Sequence, residues 1–438
     1  MCGVEHGGNQ VQRAGSSRRA PIAIVALVAL VGSVFVATQA NAAVRAQARG
    51  FDGTTVTVGS MGYKANFAKG DVGPRARIKR FNDDNEIKGI KLKYTGFEDD
   101  GNDPASALSV ARRLVTQDGV FALVGDASTY NPIAYFKQAH VPFFGWGFDN
   151  AYCNPKVPTT AGWGFGYNGC QVNTQPARVV DYAGKVYQYV SQQLNKKHPT
   201  VALINDDGPT FRATMSQNVI SYKGSGFDVV FAKSIMPAPP APISDYSPYT
   251  AKLLTSNNGG QPDVITCLSG LQCLQLYTLL HAQGFKGIFQ HALYTDIFVK
   301  PMADTIVTAS NANFNATNIP SLDQMRTDIA AVDPDQAKKL DAIALAGYSS
   351  TDMFIQVLKQ VVKNGGTKAI TPEAVQKAAS KVFWQMKGFT GPISYPVASN
   401  YQGGPDTGYC TGLFKSDGTA WNTVVDYSCS KKTYPFKQ

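Results

Sequence analysis

The chain has 438 residues, of which 44% are hydrophobic and 16% are charged, as in globular proteins with room for two or more domains. Its formal net charge is +10, but the basic residues are scattered and form no cluster interleaved with stacking aromatics. This pattern excludes a typical nucleic-acid-binding surface.

The first 43 residues predict an export signal. Arg18 and Arg19 precede an uncharged apolar run at 20–40, and Ala40-Asn41-Ala42 has the small-x-small pattern of a signal-peptidase site. The run is long enough to span a bilayer, so an uncleaved N-terminal anchor is the alternative. Residues 1–43 hold three basic residues and one acid, so their removal would lower the net charge from +10 to +8. We expect an extracytoplasmic protein that touches the membrane only through such an anchor.

The remaining chain alternates strands and helices in two series. The first series has predicted strands at 55–58, 90–97, 120–124 and 141–144, separated by helices at 71–82, 104–117 and 132–138. The second has strands at 201–204, 228–235, 264–268 and 288–292, separated by helices after 211, near 249–256 and up to 283. Helices follow at 353–362, with one apolar stripe, and from Pro372. The fold class is therefore α/β, with two doubly wound parallel-sheet lobes and a ligand site beyond the carboxyl ends of the strands.

An unusual segment follows the strand at 141–144. Val141 to Phe144 are typical of a core strand, but Gly145-Trp146-Gly147-Phe148-Asp149 is not. Glycine at a strand end indicates that something approaches the backbone closely. Because this strand end points towards the predicted ligand site, we expect Trp146 and Phe148 to face a cleft.

The cysteines predict disulfide bonds. Six lie after residue 43, and although six cysteines permit 15 pairings, they form three couples that are local in sequence. An exported protein is oxidised more readily than an intracellular one. We therefore expect the pairs Cys153–Cys170, Cys267–Cys273 and Cys410–Cys429.

No catalytic or metal-binding pattern stands out. The sequence lacks a P-loop, an HExxH motif and a GxSxG elbow, and the five histidines have no metal-like spacing. The match to GxGxxG at 164–169 does not follow a predicted strand, and the acidic residues at 98–103 are typical of a helix N-terminus. We predict a binding protein that is not an enzyme and has no cofactor or metal.

Two segments resemble a known family. FEDDGNDPASALSVARRLVTQDGVFALVG at 97–125, with VTVGSMGY at 56–63 before it, is similar to the N-terminal lobe of the leucine/isoleucine/valine-binding-protein family. ALAGYSSTDMFIQVLKQVVKNGG at 344–366 and GFTGPISY at 388–395 resemble its closing segment. These proteins are solute receptors of ABC transporters, with a type I periplasmic-binding-protein fold.

The resemblance implies two lobes that close over a solute and are joined by three chain crossings. The crossings would fall near 172–178, 294–300 and 386–394. Lobe one would contain 54–174 and 298–388, and lobe two 175–297 and 389–438. All three predicted disulfides would then lie within single lobes and leave hinge closure free.

In lobe one, the resemblance implies a grip on the ligand at the turn after the third strand. Ser128 and Thr129 match the hydroxyl positions that hold an amino acid's polar end, and Tyr130 follows them. The next contact in the family is a strand end rich in Ser, Ala and Thr. Here Trp146, Phe148 and Asp149 occupy that region instead.

In lobe two, Phe211 approximately matches a family aromatic, and Ser269 stands where another aromatic is common. The family's carboxylate for the ligand ammonium aligns with Leu293 and Tyr294, with Asp296 close by. An ammonium without a paired carboxylate is costly to bury, which places α-amino-acid recognition in doubt.

These departures predict an ABC-importer receptor for a small aromatic or hydrophobic solute. The solute could carry a carboxylate held by Ser128 and Thr129. A cationic ligand beside Asp126 or Asp149 ranks lower. The alternatives are a ligand-sensing ectodomain of the same fold and a transport protein for branched-chain amino acids or amides. We expect a monomer whose partners are the solute and a membrane permease.

Overall fold

The computed structural model describes residues 48–153, 162–171, 178–395 and 409–436. The predicted export signal at 1–43 and most of the predicted crossing at 172–178 lie outside these residues. Within the described part of the chain, no helix is both long enough and apolar enough to cross a bilayer.

The first sheet is entirely parallel and comes from the first predicted series. Its strands follow the order β2-β1-β3-β4-β5, and a 3-10 turn at Asn150–Tyr152 precedes the edge strand. The elements are β1 (Thr55–Gly62), α1 (Val72–Asp83), β2 (Lys91–Asp99), α2 (Pro104–Thr116), β3 (Ala122–Asp126), α3 (Ile133–Gln138), β4 (Phe143–Gly145) and β5 (Gly164–Gly166).

The second sheet begins in the next segment and is parallel over five of its seven strands. The elements of this segment are β6 (Arg178–Val180), α4 (Gly184–Leu194), β7 (Thr200–Asp206), α5 (Pro209–Ser225), β8 (Asp228–Met236), α6 (Ser247–Leu254), β9 (Val264–Cys267), α7 (Leu271–Ala282), β10 (Ile288–His291) and β11 (Ile306–Ala309).

The last segment adds helices to the first sheet and a hairpin to the second. Its elements are α8 (Pro320–Ala330), α9 (Pro334–Ala337), α10 (Ala342–Gly365), α11 (Pro372–Ala379), β12 (Phe383–Trp384), β13 (Ile393–Ser394), β14 (Tyr409–Ser416), β15 (Trp421–Ser430) and β16 (Thr433–Pro435). Helix α10 packs against α1, β3 and β4. The second sheet has the order β15-β14-β11-β10-β9-β7-β8, in which β14 and β15 run antiparallel, and β16 pairs with β6.

The residues predicted to cap helix N-termini form the expected hydrogen bonds. The Asp103 side chain accepts hydrogen bonds from the Ala105 and Ser106 amides at the start of α2, and Thr371 caps α11 in the same way. On the stripe of α10, Phe354 and Leu358 are fully buried. The prediction of two α/β lobes with parallel sheets is confirmed.

At two places, a strand pairs with a strand outside the lobe to which the resemblance assigns it. Residues 306–309 were assigned to lobe one, but β11 pairs with β10 and β14 of the second sheet. Residues 393–395 were assigned to lobe two, but β13 pairs with β12, and the Gly166 amide donates to the Tyr395 hydroxyl at 2.6 Å. Each segment thus pairs with a strand outside its predicted lobe, a contact that the resemblance does not specify. The other boundaries stay a prediction.

All three predicted disulfides are present. Cys153 pairs with Cys170 next to β5, Cys267 at the end of β9 pairs with Cys273 in α7, and Cys410 of β14 pairs with Cys429 of β15. Each bond joins two segments that belong to the same sheet or pack against it, so none of them connects the first sheet to the second.

Candidate functional site

A cavity of about 230 Å³ lies where the carboxyl ends of the two sheets face each other. The first lobe contributes residues after β1, β3, β4 and β5, and the second contributes residues after β7, β8, β9, β10 and β11. Ligands of open α/β sheets bind beyond the carboxyl ends of the strands. This cavity is therefore the candidate solute site.

Aromatic rings form much of the cavity wall. Trp146 and Phe148 pack together with ring centroids 4.4 Å apart, and Phe67 meets Trp146 edge-on at 5.7 Å. Tyr130 from the first lobe and Phe211 from the second also line the cavity. These rings provide flat apolar surface for a solute, and aromatic pairs contribute about 0.5–1.5 kcal/mol beyond their buried area.

The glycines beside Trp146 are required by the protein's own backbone. A β-carbon at Gly145 would collide with the Asp126 carbonyl and the Tyr152 hydroxyl, and one at Gly147 would collide with the Gly169 carbonyl. The Trp146 amide donates to the Asp126 carbonyl at 2.8 Å. The close approach that the sequence indicated is thus between β4 and its neighbours, and it fixes the position of the Trp146 ring.

We expect Gly145→Ala to lower the free energy of unfolding by about 1–3 kcal/mol, because the added methyl group overpacks a fully buried site. Urea denaturation measures the change. Gly260→Ala is the control, since its β-carbon would meet nothing closer than 3.4 Å. Equal midpoints for the two variants would contradict the backbone explanation.

The two hydroxyls predicted to hold a ligand already have protein partners. Ser128 is fully buried and does not line the cavity, and its Oγ accepts from the Tyr130 amide at 3.2 Å. Thr129 lines the cavity, but its Oγ1 donates to Asn102 Oδ1 at 2.7 Å. Their role as carboxylate ligands stays a prediction, and the observed bonds compete with it.

Asn102 links the two lobes. Its Nδ2 donates to the Pro239 carbonyl at 2.6 Å, and both residues line the cavity. Pro239 belongs to the proline-rich loop after β8, which Gln272 holds by donating from Nε2 to the Pro237 carbonyl at 2.7 Å. The Thr129–Asn102 pair therefore orients a contact between the lobes.

Neither of the two predicted acids lines the cavity. Asp149 is buried and accepts from the Asn131 amide at 2.6 Å and the Ala151 amide at 3.0 Å, while burial raises its pKa to about 6. Asp296 lies near the surface, 3.5 Å from Lys339 Nζ. Asp149 is thus placed to cap a turn, and Asp296 is placed in a surface ion pair.

The other predicted residues lie on the cavity wall in lobe two. Besides Phe211, these are Ser269 and Tyr294. Ser269 Oγ accepts from the Asp206 amide at 2.6 Å, and the Tyr294 ring stacks on Phe414 with centroids 4.6 Å apart. Seven of the ten predicted residues therefore line one cavity, although five separate turns contribute them.

Several polar residues on the wall were missed by the sequence analysis. Asp206 ends β7, is 3% exposed, and accepts at Oδ1 from the Gly208 amide at 2.9 Å. Burial raises the pKa of Asp206 to about 6. Gln290 accepts from Tyr222 and donates to Thr308 Oγ1 at 3.1 Å. The rule that ligands meet strand ends could have identified Asp206, since it directly follows a predicted strand.

His291 also borders the cavity but adds no charge to it. Burial lowers the pKa of His291 to about 3, so the ring is neutral. The ring packs against Phe298 and Trp421 at centroid distances of 5.3 and 5.4 Å. In the described part of the chain, no three His, Cys, Asp or Glu residues are grouped so as to hold a metal ion.

Comparison with known proteins agrees with this architecture. A sequence model of the family described as periplasmic binding protein matches residues 58–400. The chain belongs to this family. A search of curated protein sequences found no match.

Solved structures of ABC-transporter receptors share the fold of this periplasmic binding protein at low sequence identity. A fatty acid ABC transporter substrate-binding protein from Thermomonospora curvata has a TM-score of 0.67 and 17% identity, over 88% of this chain and 95% of that one. A solute-binding protein of Rhodopseudomonas palustris HaA2 in complex with p-hydroxybenzoic acid has a TM-score of 0.63 and 15% identity, over 86% and 98%. A branched-chain amino acid ABC transporter protein from Thermus thermophilus with bound valine has a TM-score of 0.65 and 12% identity, over 86% and 97%.

The family resemblance seen in the sequence is therefore confirmed, as is the type I periplasmic-binding-protein fold. Proteins of this family are extracytoplasmic receptors that bind small solutes and work with transporter permeases. The structural neighbours are named for chemically different solutes, so the fold alone does not select the ligand.

Proposed function

We propose that this periplasmic binding protein captures a small aromatic or hydrophobic solute outside the cytoplasm and delivers it to an ABC permease. Residues 1–43 would direct its export. The observation that carries the ligand class is the packed Trp146–Phe148 pair on a cavity wall that also includes Tyr130 and Phe211.

Two further observations support an aromatic or hydrophobic solute over a branched-chain amino acid. Asp296, the predicted partner for an α-ammonium group, does not line the cavity. Thr129, the predicted partner for an α-carboxylate, donates its hydroxyl to Asn102. Recognition through ring surfaces needs neither group.

A thermal-shift screen tests the ligand class. The purified protein is melted with a panel of aromatic amides, aromatic amines, aromatic acids, fatty acids and branched-chain amino acids. A solute present at 100 times its Kd adds about 2.7 kcal/mol to the free energy of unfolding, which gives a clear rise in Tm. Strong stabilisation by leucine or valine, with no response to any aromatic or hydrophobic compound, would contradict the proposal.

Trp146→Ala should weaken binding of a stabilising aromatic solute by about tenfold or more, because it removes the central ring of the wall. Isothermal titration calorimetry measures Kd for both proteins. Trp163→Ala is the matched control, since Trp163 packs against His140, 5.3 Å away, and does not line the cavity. An equal loss of affinity in both variants would assign Trp146 to the core instead of the solute site.

A further inference from the structure

The charge of the cavity wall constrains the solute further. Among the described residues that line the cavity, Asp206 is the only acid, and no lysine or arginine is present. His291 is neutral, as shown above. An anionic solute would therefore face one carboxylate and no cation, and burying an unpaired charge is costly.

The two hydroxyls that the resemblance assigns to a solute carboxylate are engaged or enclosed in the protein. Thr129 donates to Asn102, whose Nδ2 in turn donates to the Pro239 carbonyl. Ser128 lies beneath the wall and does not line it. A solute carboxylate bound through the Thr129 hydroxyl would have to break the Thr129–Asn102 bond, which orients the contact between the lobes.

In contrast to these hydroxyls, the Asp206 carboxylate can accept more hydrogen bonds than the protein supplies. It accepts from the Gly208 amide and the Ser269 hydroxyl, and within the described residues no lysine or arginine forms an ion pair with it. An ionised carboxylate has about four acceptor positions. A buried carboxylate without a cation is stabilised strongly by a charged donor.

Asp206 also faces the aromatic part of the wall. A β-carbon on Gly208 would lie 2.8 Å from Asp206 Oδ1 and 3.9 Å from the Tyr130 hydroxyl, so the two side chains border the same gap between the lobes. Phe211 lies in the first turn of the helix that follows and lines the cavity. A cation in this gap would lie between the carboxylate and the Tyr130 hydroxyl, beside the aromatic residues of the wall.

We infer that the solute is an amine, and that Asp206 accepts a hydrogen bond from its ammonium group while the aromatic wall holds its apolar part. This inference rests on the proposed function and defines its solute class. It also moves the cation-binding acid from Asp126 or Asp149, which do not line the cavity, to Asp206.

Three probes of matched shape test the inference: 2-phenylethylamine, phenylacetamide and phenylacetate. We expect the amine to raise Tm most, the neutral amide less, and the acid not at all. Asp206→Asn keeps the acceptor for Gly208 but removes the charge, and it should weaken amine binding about tenfold or more, as for loss of a charged hydrogen bond.

Asp207→Asn is the matched control, because it removes the same charge from the adjacent exposed residue. Its Kd for the amine should stay within about twofold of the wild-type value, since exposed charges interact weakly. Equal losses in the two variants, or a phenylacetate response as large as that of the amine, would overturn the inference and leave the aromatic-solute proposal standing. Failure of all three probes would overturn the inference and also contradict the aromatic part of the proposed solute class.

Discussion

Asp126→Asn should stabilise the protein progressively more as the pH rises from 4 to 8. Asp126 is fully enclosed at the end of β3, where burial raises its pKa to about 8, and the neighbouring charges of Asp100 and Asp149 act in the same direction. Tyr152 donates a hydrogen bond to its carboxyl group, which opposes the shift only in part.

The sign of this effect follows from proton binding. Between pH 4 and pH 8 the folded protein keeps the Asp126 proton, whereas the unfolded chain has released it. The free energy of unfolding therefore falls as the pH rises through this range. A difference of about 4 pKa units corresponds to roughly 5 kcal/mol, and the neutral Asn side chain avoids this loss.

Urea denaturation of both proteins at several pH values gives the difference directly, and comparing the two removes the contributions of the other acids. Asp118→Asn, an exposed acid of the same lobe, is the control and should show little dependence on pH. A constant difference between wild type and Asp126→Asn from pH 4 to 8 would refute the prediction.

Arg77→Met should destabilise the protein by about 1.5–3 kcal/mol, because it removes charged hydrogen bonds from two largely buried carboxylates, which keep only more exposed lysine and arginine partners. Arg77 is 2% exposed on α1 and donates to Glu86 at 2.7 and 2.9 Å and to Asp352 of α10 at 2.6 Å. The Trp384 indole donates to the other Asp352 oxygen at 2.9 Å. This network joins the two helices that cover one face of the first sheet.

The same helix offers a matched control. Arg75 pairs with Asp71 at 2.8 Å, but both side chains are about 40% exposed. An exposed pair of this kind contributes about 0–1 kcal/mol, so Arg75→Met should change the free energy of unfolding little. Urea midpoints that agree for the two variants would show that the buried network does not stabilise the first lobe.

Local patterns in the sequence predicted most of the fold. Strand and helix alternation indicated the two parallel sheets, Asp103 and Thr371 predicted helix starts, and proximity in sequence predicted the three disulfides. These signals depend on residues close together in the chain, so they can be read without the tertiary structure. The pairing of β11 with β14 was missed because these two strands are far apart in the chain.

Seven residues predicted from the family resemblance and the strand-end rule line one cavity, and the GWGF segment supplies two of its aromatic rings. The direction of each polar side chain was decided only by tertiary contacts. Asp149 points to the Asn131 amide, Ser128 is enclosed beneath the wall, and Thr129 binds Asn102. Each of these partners is set by turn conformations that the residue types alone do not determine. The strand-end rule points to Asp206, but only the tertiary structure shows that it lines the cavity between the two sheets.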